Sequence, residues 1–392
     1  VTASGGMNRV RIEASGESED GTFGGWVRVE GGMVGNVWWK PSDLLKFMIG
    51  GNPDGMFGKE GVTGWGFYQV AYDTGVVIGG NVWGWGPAGG PDANMYGQGV
   101  RTRHAFFGGF GGEGALLTIT PAEIATINIV IPFMSGGEAA DVFKKSIAQV
   151  DLNLDFGNIA LTYVGGLGYV KADGYSETWV GKKYFDSNGQ EQTSTTEFEK
   201  KVSGKAEVED PSKIFLYFNL ASIENLSLDV GVGYTLPYET EGKVKVSSPI
   251  AAGLGVKYTM DAFGVKFRTV AAFAGSMETD VAGKKVKSEQ GIGLIVDVLP
   301  YYVLSDNLTA YASIGVGYQA PGKVDGKVGK DADGKDLPAI IGWHFNPYIQ
   351  VGAEWGPTFY AGIKVWSDGI ERGKDKDKWI NWAVPIAMVV SF

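Results

Sequence analysis

The last fourteen residues, 379–392, constrain the fold of this chain more than any other segment. They read WINWAVPIAMVVSF, with an apolar side chain at every second position from Ile380 to Phe392. An apolar side chain at every second residue predicts a β-strand with one apolar face. So long an apolar strand is unsuited to the edge of a sheet in water, where it would promote aggregation. A lipid bilayer accommodates such a strand if the sheet closes on itself and leaves no edge.

Composition leaves two classes of protein open. The 392 residues suffice for one large barrel or for several smaller domains. No apolar run approaches the roughly 18 residues of a transmembrane helix. The chain has 62 Gly, 12 Trp, 17 Tyr and 20 Phe residues, which suits a barrel wall with aromatic girdles. A soluble all-β sandwich or propeller would share this glycine and turn content and remains the alternative.

The residues that usually carry chemistry are scarce. There is no Cys, so disulfides and thiolate metal sites are excluded, and the only histidines are His104 and His344. We find no nucleophile elbow, phosphate loop or zinc-protease motif. The sequence therefore predicts no catalytic site, metal or cofactor, and a net charge of −10 argues against a nucleic-acid partner.

Alternating segments recur along the whole chain and predict an all-β, transmembrane, antiparallel up-and-down barrel. We expect about sixteen strands, an even number that places both termini on one side. They lie at 7–16, 24–39, 43–50, 104–119, 124–133, 147–156, 159–170, 213–220, 226–236, 250–260, 263–277, 289–303, 308–320, 340–353, 358–367 and 379–392. A further hairpin at 64–72 and 76–85 would raise the total to eighteen.

The connections between these strands alternate in length. Tight links at 221–225, 260–262, 305–307 and 354–357 alternate with polar segments at 171–213, 237–249, 278–289, 321–339 and 367–378. Outer-membrane barrels have short periplasmic turns and long extracellular loops. The whole chain, 1–392, is therefore predicted to be one barrel domain.

Two insertions interrupt the pattern. Residues 51–103 are rich in Trp and Gly and too long for an ordinary loop. They are expected to fold into the barrel mouth, cover it or contact another subunit. Residues 134–146 have helical spacing, with Glu138 and Asp141 early and Lys144 and Lys145 late, as the helix dipole favours.

The polar faces of the strands carry charges that we expect to line a pore. The bases are Arg9, Arg11, Arg28, Lys46, Lys257, Lys266, Arg268 and Lys364, and the acids are Glu13, Glu30, Asp151, Asp155, Asp229 and Asp297. If the first and last strands adjoin, the bases form one wall and acids of the middle strands face them. Opposed rows of charge would favour polar solutes. Alternatively, these charges are solvated or paired with one another, and they do not select solutes.

The chain resembles the general porins of diderm bacteria in this architecture and in its terminal aromatic residue. The closing-strand signal of such barrels matches the residues Trp382, Val384, Ile386, Met388, Val390 and Phe392. Residues 38–55, WWKPSDLLKFMIGGNPDG, are similar to porin-like proteins of spirochaetes. By the strand count above, the helical segment 134–146 joins strands five and six, and the resemblance implies that a loop at this position folds into the pore.

The same resemblance implies a location in the bacterial outer membrane and assembly as a homotrimer. The implied partners are membrane lipid, the barrel-assembly machinery, and small hydrophilic solutes and ions. The aromatic residues Trp26, Trp38 and Trp39 could supply a flat apolar contact between subunits.

Three functions follow from such a barrel. The first is a water-filled porin for passive diffusion. The second is a structural or adhesive surface protein, whose barrel is an anchor plugged by the segment 51–103. The third is a transporter of apolar substrates of the fatty-acid kind, which is disfavoured because strand-like alternation from Asn8 onward leaves no room for an N-terminal plug.

Overall fold

A computed structural model describes eighteen segments of the chain. They are 12–29, 32–51, 113–133, 139–170, 176–185, 191–203, 208–239, 245–247, 250–272, 276–281, 284–289, 292–320, 323–328, 334–336, 339–352, 358–367, 380–384 and 386–389. The predicted insertion 51–103 lies outside them apart from Gly51, and so does the predicted hairpin at 64–72 and 76–85.

The first half of the chain forms antiparallel strands with one short helix. These elements are β1 (Ile12–Glu17), β2 (Phe23–Val29), β3 (Met33–Ser42), β4 (Leu45–Gly51), β5 (Glu113–Ala122), β6 (Ala125–Pro132), α1 (Ala139–Lys144), β7 (Ile147–Leu154) and β8 (Gly157–Val164). Four strands then lie within one long connection: β9 (Gly168–Val170), β10 (Ser176–Phe185), β11 (Glu191–Ser203) and β12 (Val208–Asp210).

The second half continues as strands alone in the described residues. They are β13 (Lys213–Leu220), β14 (Leu226–Thr235), β15 (Tyr238–Glu239), β16 (Lys245–Ser247), β17 (Ile250–Met260), β18 (Phe263–Ala272), β19 (Ser276–Val281), β20 (Lys284–Glu289), β21 (Gly293–Ser305), β22 (Leu308–Gln319), β23 (Lys323–Val324), β24 (Lys327–Val328), β25 (Ile340–Val351), β26 (Thr358–Gly362), β27 (Lys364–Ser367), β28 (Asn381–Ala383) and β29 (Ile386–Val389).

Nineteen of these strands form one antiparallel sheet, the wall, in which each strand pairs with its neighbours in chain order. The wall runs from β1 to β8, continues through β13, β14, β17, β18, β21, β22 and β25, and ends with β26 to β29. Each of the last two crossings of the wall is divided into two strands. β26 and β27 both pair with β25, while β29 pairs with β26 and β28 pairs with β27. The predicted all-β, antiparallel up-and-down architecture of about sixteen strands is confirmed, and the possible further hairpin lies outside the described residues.

Connection lengths are segregated between the two ends of the wall. Short turns at 43–44, 123–124, 155–156, 261–262 and 306–307 all lie at one end. Long connections such as 165–212 and 273–292 lie at the other end, where 30–32 is the short exception. The predicted alternation of turns and loops is therefore confirmed.

The predicted strand 24–39 is two strands. β2 and β3 pair with each other, from Phe23 opposite Trp39 to Val29 opposite Met33. The glycines at 31 and 32 mark this turn in the sequence. As a consequence, α1 follows the sixth described strand of the wall and not the fifth. The helix therefore no longer has the same position in the strand order as the inward-folding loop of general porins.

The helix α1 itself forms where the sequence predicts one. Asp141 stands in its first turn and Lys144 in its last, and their side chains make an ion pair at 2.9 Å. The carbonyl of Ser146, two residues after the helix end, accepts a hydrogen bond from Gly165 N of the next long connection, which ties this end of the helix to that connection.

The long connections form a second sheet, which we call the loop sheet. It consists of β15, β16, β19, β20, β23 and β24, contributed by three different connections. The sequence predicts these segments only as polar loops. A partial signal was nevertheless present, because Met277, Thr279 and Val281 alternate with Glu278 and Asp280. Positive φ angles at Asp325 and Gly326, 48° and 77°, close the β23–β24 hairpin as a two-residue turn requires.

Aromatic rings on the wall lie over glycines of the neighbouring strand. Tyr301 stands opposite Gly264, and a Cβ added to that glycine would overlap the tyrosine ring. In this position the Tyr301 hydroxyl lies 3.1 Å from the Thr259 hydroxyl. Trp38 lies in the same way over Gly24. Glycine at these sites lets a large side chain lie flat against the sheet.

We expect Gly264→Ala to destabilise the protein by about 1–3 kcal/mol, because the Tyr301 ring must leave its position. Urea unfolding in detergent micelles measures this change, with Gly16→Ala as control, since a Cβ there meets nothing within 4 Å. In a Tyr301→Ala background the cost of Gly264→Ala should largely vanish. An equal cost in both backgrounds would contradict the role of the ring.

Candidate channel wall

The two faces of the wall differ in polarity and in exposure. Apolar side chains of one face, the outer face, are exposed; they include Ile49, Leu161, Leu216, Ile314 and Phe345. The opposite, inner face carries buried polar side chains: Asn128, Gln149, Asp151, Thr162, Asp229, Asp297, Ser313, Asn346, Gln350 and Thr358. This is the reverse of a soluble barrel, whose interior is apolar.

The closing strand follows the same arrangement. Trp382, Val384 and Ile386 are exposed, with Trp382 at 73% and Ile386 at 67% of full exposure. The predicted apolar stripe therefore belongs to the outer face at these positions. Val390 and Phe392 lie outside the described residues, and Met388 is described only in its backbone.

Side chains of the inner face hydrogen-bond to one another. Asp229 accepts hydrogen bonds from the Tyr217 hydroxyl and from Asn219 Nδ2 at 2.9 Å. Gln149 donates to Asp151 and accepts from Thr162 Oγ1 at 2.9 Å. Such bonds satisfy polar groups that would otherwise be costly to bury.

The inner face also holds an apolar cluster that the sequence did not reveal. Leu116, Val130 and Ile147 are buried on adjacent strands, and Met48 and Val164 pack against them. Strand alternation predicts an inner face of polar and small residues, so these positions are a correction. Their signal in the sequence was weak, because β5 and β6 are apolar on both faces.

The predicted pore-lining residues fall into three groups. Glu13, Arg28, Lys46, Asp151, Asp229, Lys257, Lys266 and Asp297 lie on the inner face by strand register. The register also assigns Arg268 and Lys364 to this face, although their side chains are not described. Arg9, Arg11 and Glu30 lie outside the described residues.

Asp155 is not on the inner face. It lies exposed in the turn 155–156, between β7 and β8. The predicted strand 147–156 extends two residues beyond the end of β7 at Leu154, and the Asp155–Phe156 pair instead forms the hairpin turn.

Acids and bases are interleaved on the described wall rather than separated. Asp297 lies directly opposite Arg268, on the neighbouring strand. Arg28 Nε donates to Glu13 Oε1 at 2.6 Å, again between adjacent strands. The prediction of one basic wall facing acids across a pore therefore does not describe these residues, and the alternative of paired charges fits them better.

Two of the three tryptophans expected at a subunit contact face inward. Lys46 Nζ lies 4.6 Å from the Trp38 ring centre, and Arg28 lies 5.1 Å from that of Trp26. These are cation–π distances. Only Trp39 belongs to the outer face, where it stacks on Phe47 with ring centres 5.8 Å apart.

The loop sheet carries an exposed network of ion pairs. Lys285 Nζ lies 3.0 Å from Glu278 Oε1, and Lys287 Nζ lies 2.6 Å from Glu289 Oε1. The Lys285 ammonium lowers the pKa of Glu278, and the Lys287 ammonium lowers that of Glu289. Two connections are joined here by reciprocal hydrogen bonds, as Lys287 N donates to Asp325 Oδ1 and Asp325 N donates to the Lys287 carbonyl.

The described residues contain no helix long and apolar enough to cross a membrane. Within the same residues, no cluster of three or more His, Asp or Glu side chains is placed to bind a metal. His104 lies outside them, and His344 is described only in its backbone, opposite Gly315 on the inner face.

No family of known sequences and no curated protein matches the chain. Solved structures do resemble it. OmpT, an outer membrane protein of Vibrio cholerae folded in vitro, shows 10% identity and a TM-score of 0.38, covering 96% of this chain and 92% of that chain. A porin refined at 1.8 Å shows 12% identity and a TM-score of 0.37, covering 96% and 90%.

The trimer form of the in-vitro folded OmpT shows 8% identity and a TM-score of 0.37, covering 97% of this chain and 93% of that chain. These structures give no support to a spirochaetal origin. The wall itself, with its polar inner and exposed apolar outer face, defines the class as a transmembrane antiparallel β-barrel.

We expect the carboxyl groups of Glu278 and Glu289 to titrate below the ordinary glutamate pKa of 4.5. A lowered pKa means that the ion pairs stabilise the loop sheet at neutral pH, and that this contribution is lost as pH falls through the lowered value. Side-chain carbon NMR measures both midpoints. Lys285→Gln should return the Glu278 midpoint towards 4.5; midpoints at or above 4.5 in the unchanged protein would contradict the pairing.

Proposed function

We propose that this protein is a water-filled channel of the bacterial outer membrane, of the porin kind, for passive diffusion of small hydrophilic solutes and ions. One observation carries the proposal: a single antiparallel sheet has an exposed apolar face and a polar inner face along most of its strands. The exposed apolar face suits contact with lipid, and the polar inner face suits a water-filled lumen. By analogy with the short periplasmic turns and long extracellular loops of outer-membrane barrels, we expect the short turns in the periplasm and the loop sheet outside the cell.

We propose that membrane lipid covers the outer face and that the barrel-assembly machinery inserts the chain. We propose a homotrimer, with the stacked pair of Trp39 and Phe47 in the contact between subunits, since these rings lie exposed on the outer face. The protein works without a cofactor and catalyses no reaction.

The lipid contact predicts how an introduced charge acts on stability. Leu216 lies in the middle of β13 on the outer face, and Leu304 lies beside the turn 306–307. We expect Leu216→Arg to cost about 2–4 kcal/mol and Leu304→Arg about 0–1 kcal/mol, because the penalty for a charge falls towards the membrane surface. Urea unfolding from lipid vesicles measures both. Equal, small effects would mean that the outer face contacts water.

Conduction by the purified protein tests the channel itself. In planar bilayers we expect stepwise increases in current, each from the insertion of one oligomer. The protein denatured before addition is the control, since unfolded chains should give no uniform steps. Failure of the folded protein to give steps would overturn the proposal.

One observation favours the second candidate, a barrel that serves as an anchor with a plugged lumen. The apolar cluster of Leu116, Val130 and Ile147 is buried on the inner face, although an open lumen would expose it to water. Deletion of residues 60–95 separates the two candidates. A plugged barrel conducts only after the deletion, whereas an open porin conducts before it.

A further inference from the structure

The loop sheet continues the register of the wall. In the wall, Ala251 of β17 lies opposite Ala272 of β18. Four residues further along each strand, Ser247 lies opposite Ser276 in the loop sheet. The other three ladders that continue into the loop sheet, β14–β17, β18–β21 and β21–β22, also keep their offsets. The ladders of the two sheets therefore share one register, and the loop sheet extends the wall.

A shared register preserves the assignment of residues to the two faces. Successive residues of a strand alternate between faces, so residues an even number apart share one face. Among the described side chains of β15, β16, β19, β20 and β23, those that continue the outer face are uncharged: Tyr238, Val286 and Val324. Apart from Ser276, those that continue the inner face, which we call the charged face, are all ionisable: Glu239, Lys245, Glu278, Lys285, Lys287, Glu289 and Lys323.

On the charged face, partners on neighbouring strands have opposite signs. Lys245 lies opposite Glu278, which lies opposite Lys287 on its other side. Glu289 lies opposite Lys323 on the next strand. Opposite charges in these positions stabilise the pairing of the strands. The side chains of Lys245, Lys287 and Lys323 are nevertheless exposed, so this face contacts water and remains accessible to solutes.

We propose that the charged face lines an outer vestibule of the channel, so that hydrophilic solutes pass along it before they reach the lumen inside the membrane. The inference rests on the proposed channel function and adds the surface at its entrance. Ladders that continue in register lengthen the wall and keep its inner side on the side of the lumen. Ammonium and carboxylate groups offer hydrogen bonds and ion pairs to polar solutes. An apolar substrate gains no such contact on this face.

Two adjacent residues of β23 provide a matched test. Lys323 belongs to the charged face, whereas Val324, which is 50% exposed, belongs to the opposite face. The chain contains no Cys, so Lys323→Cys and Val324→Cys each introduce a single reactive thiol. Methanethiosulfonate reagents can then attach either an ammonium or a sulfonate group at each position, and mass spectrometry verifies complete modification.

The cation-to-anion permeability ratio, taken from the zero-current potential across a planar bilayer in a KCl gradient, is the readout. At Lys323→Cys we expect the ammonium and the sulfonate to give ratios that differ by at least about twofold, because a unit charge about 10 Å from an ion in water changes its local concentration by roughly that factor. At Val324→Cys the two reagents should give nearly equal ratios. The sheet separates that group from the solute path, and salt of about 0.1 M screens it.

Equal differences at both positions, or a larger one at Val324→Cys, would overturn the vestibule while leaving the channel intact. Fully modified Lys323→Cys with the same ratio for both reagents would overturn it too. Absence of conducting steps from the unchanged protein would instead overturn the channel proposal.

Labelling in lipid vesicles tests the position of the charged face without conduction. A maleimide attached to a large polymer is too bulky to enter a vestibule. It should therefore modify Val324→Cys several-fold faster than Lys323→Cys in the folded protein, and at the same rate after unfolding. Equal rates in the folded protein would overturn the placement of the charged face on the side of the lumen.

Discussion

Hydrogen bonding between adjacent wall strands is the constraint on which the rest of this structure depends. In a membrane no water satisfies the backbone, so each strand must pair along its length with its neighbours. The strands of the described wall pair in chain order, and every pair is antiparallel. Period-two alternation then assigns every side chain to lipid or to the interior, and a shift of register by one residue would exchange the two faces.

On the inner face, several buried polar side chains hydrogen-bond to one another. Asp229 is covered by Tyr217 and Asn219, and Gln149 links Asp151 to Thr162. Such networks use neighbouring strands as partners, because register brings side chains of adjacent strands within hydrogen-bonding distance.

Beyond the wall, three long connections are organised by the pairing of their own strands. The loop sheet uses backbone ladders between β16 and β19 and between β20 and β23, and its ion pairs lie fully in water. Exposed pairs of this kind are screened by salt and contribute little each. Backbone hydrogen bonds between strands are therefore the main interaction that orders the loop sheet, and its charged side chains keep it soluble.

The sequence by itself determined the class of fold, the two faces and the segregation of connections. Period-two alternation is a local property, so Leu226–Leu236 and Leu308–Gln319 could be assigned correctly from their residues alone. Alternation does not mark where a turn begins, so the prediction assigned Asp155 to a strand. For the same reason, it joined two strands across a glycine turn into one strand at 24–39. Only the tertiary structure decided which charges meet. Asp297 and Arg268, or Lys257 and Lys266, are neighbours through strand register, and register depends on pairing between segments that alternation describes one at a time.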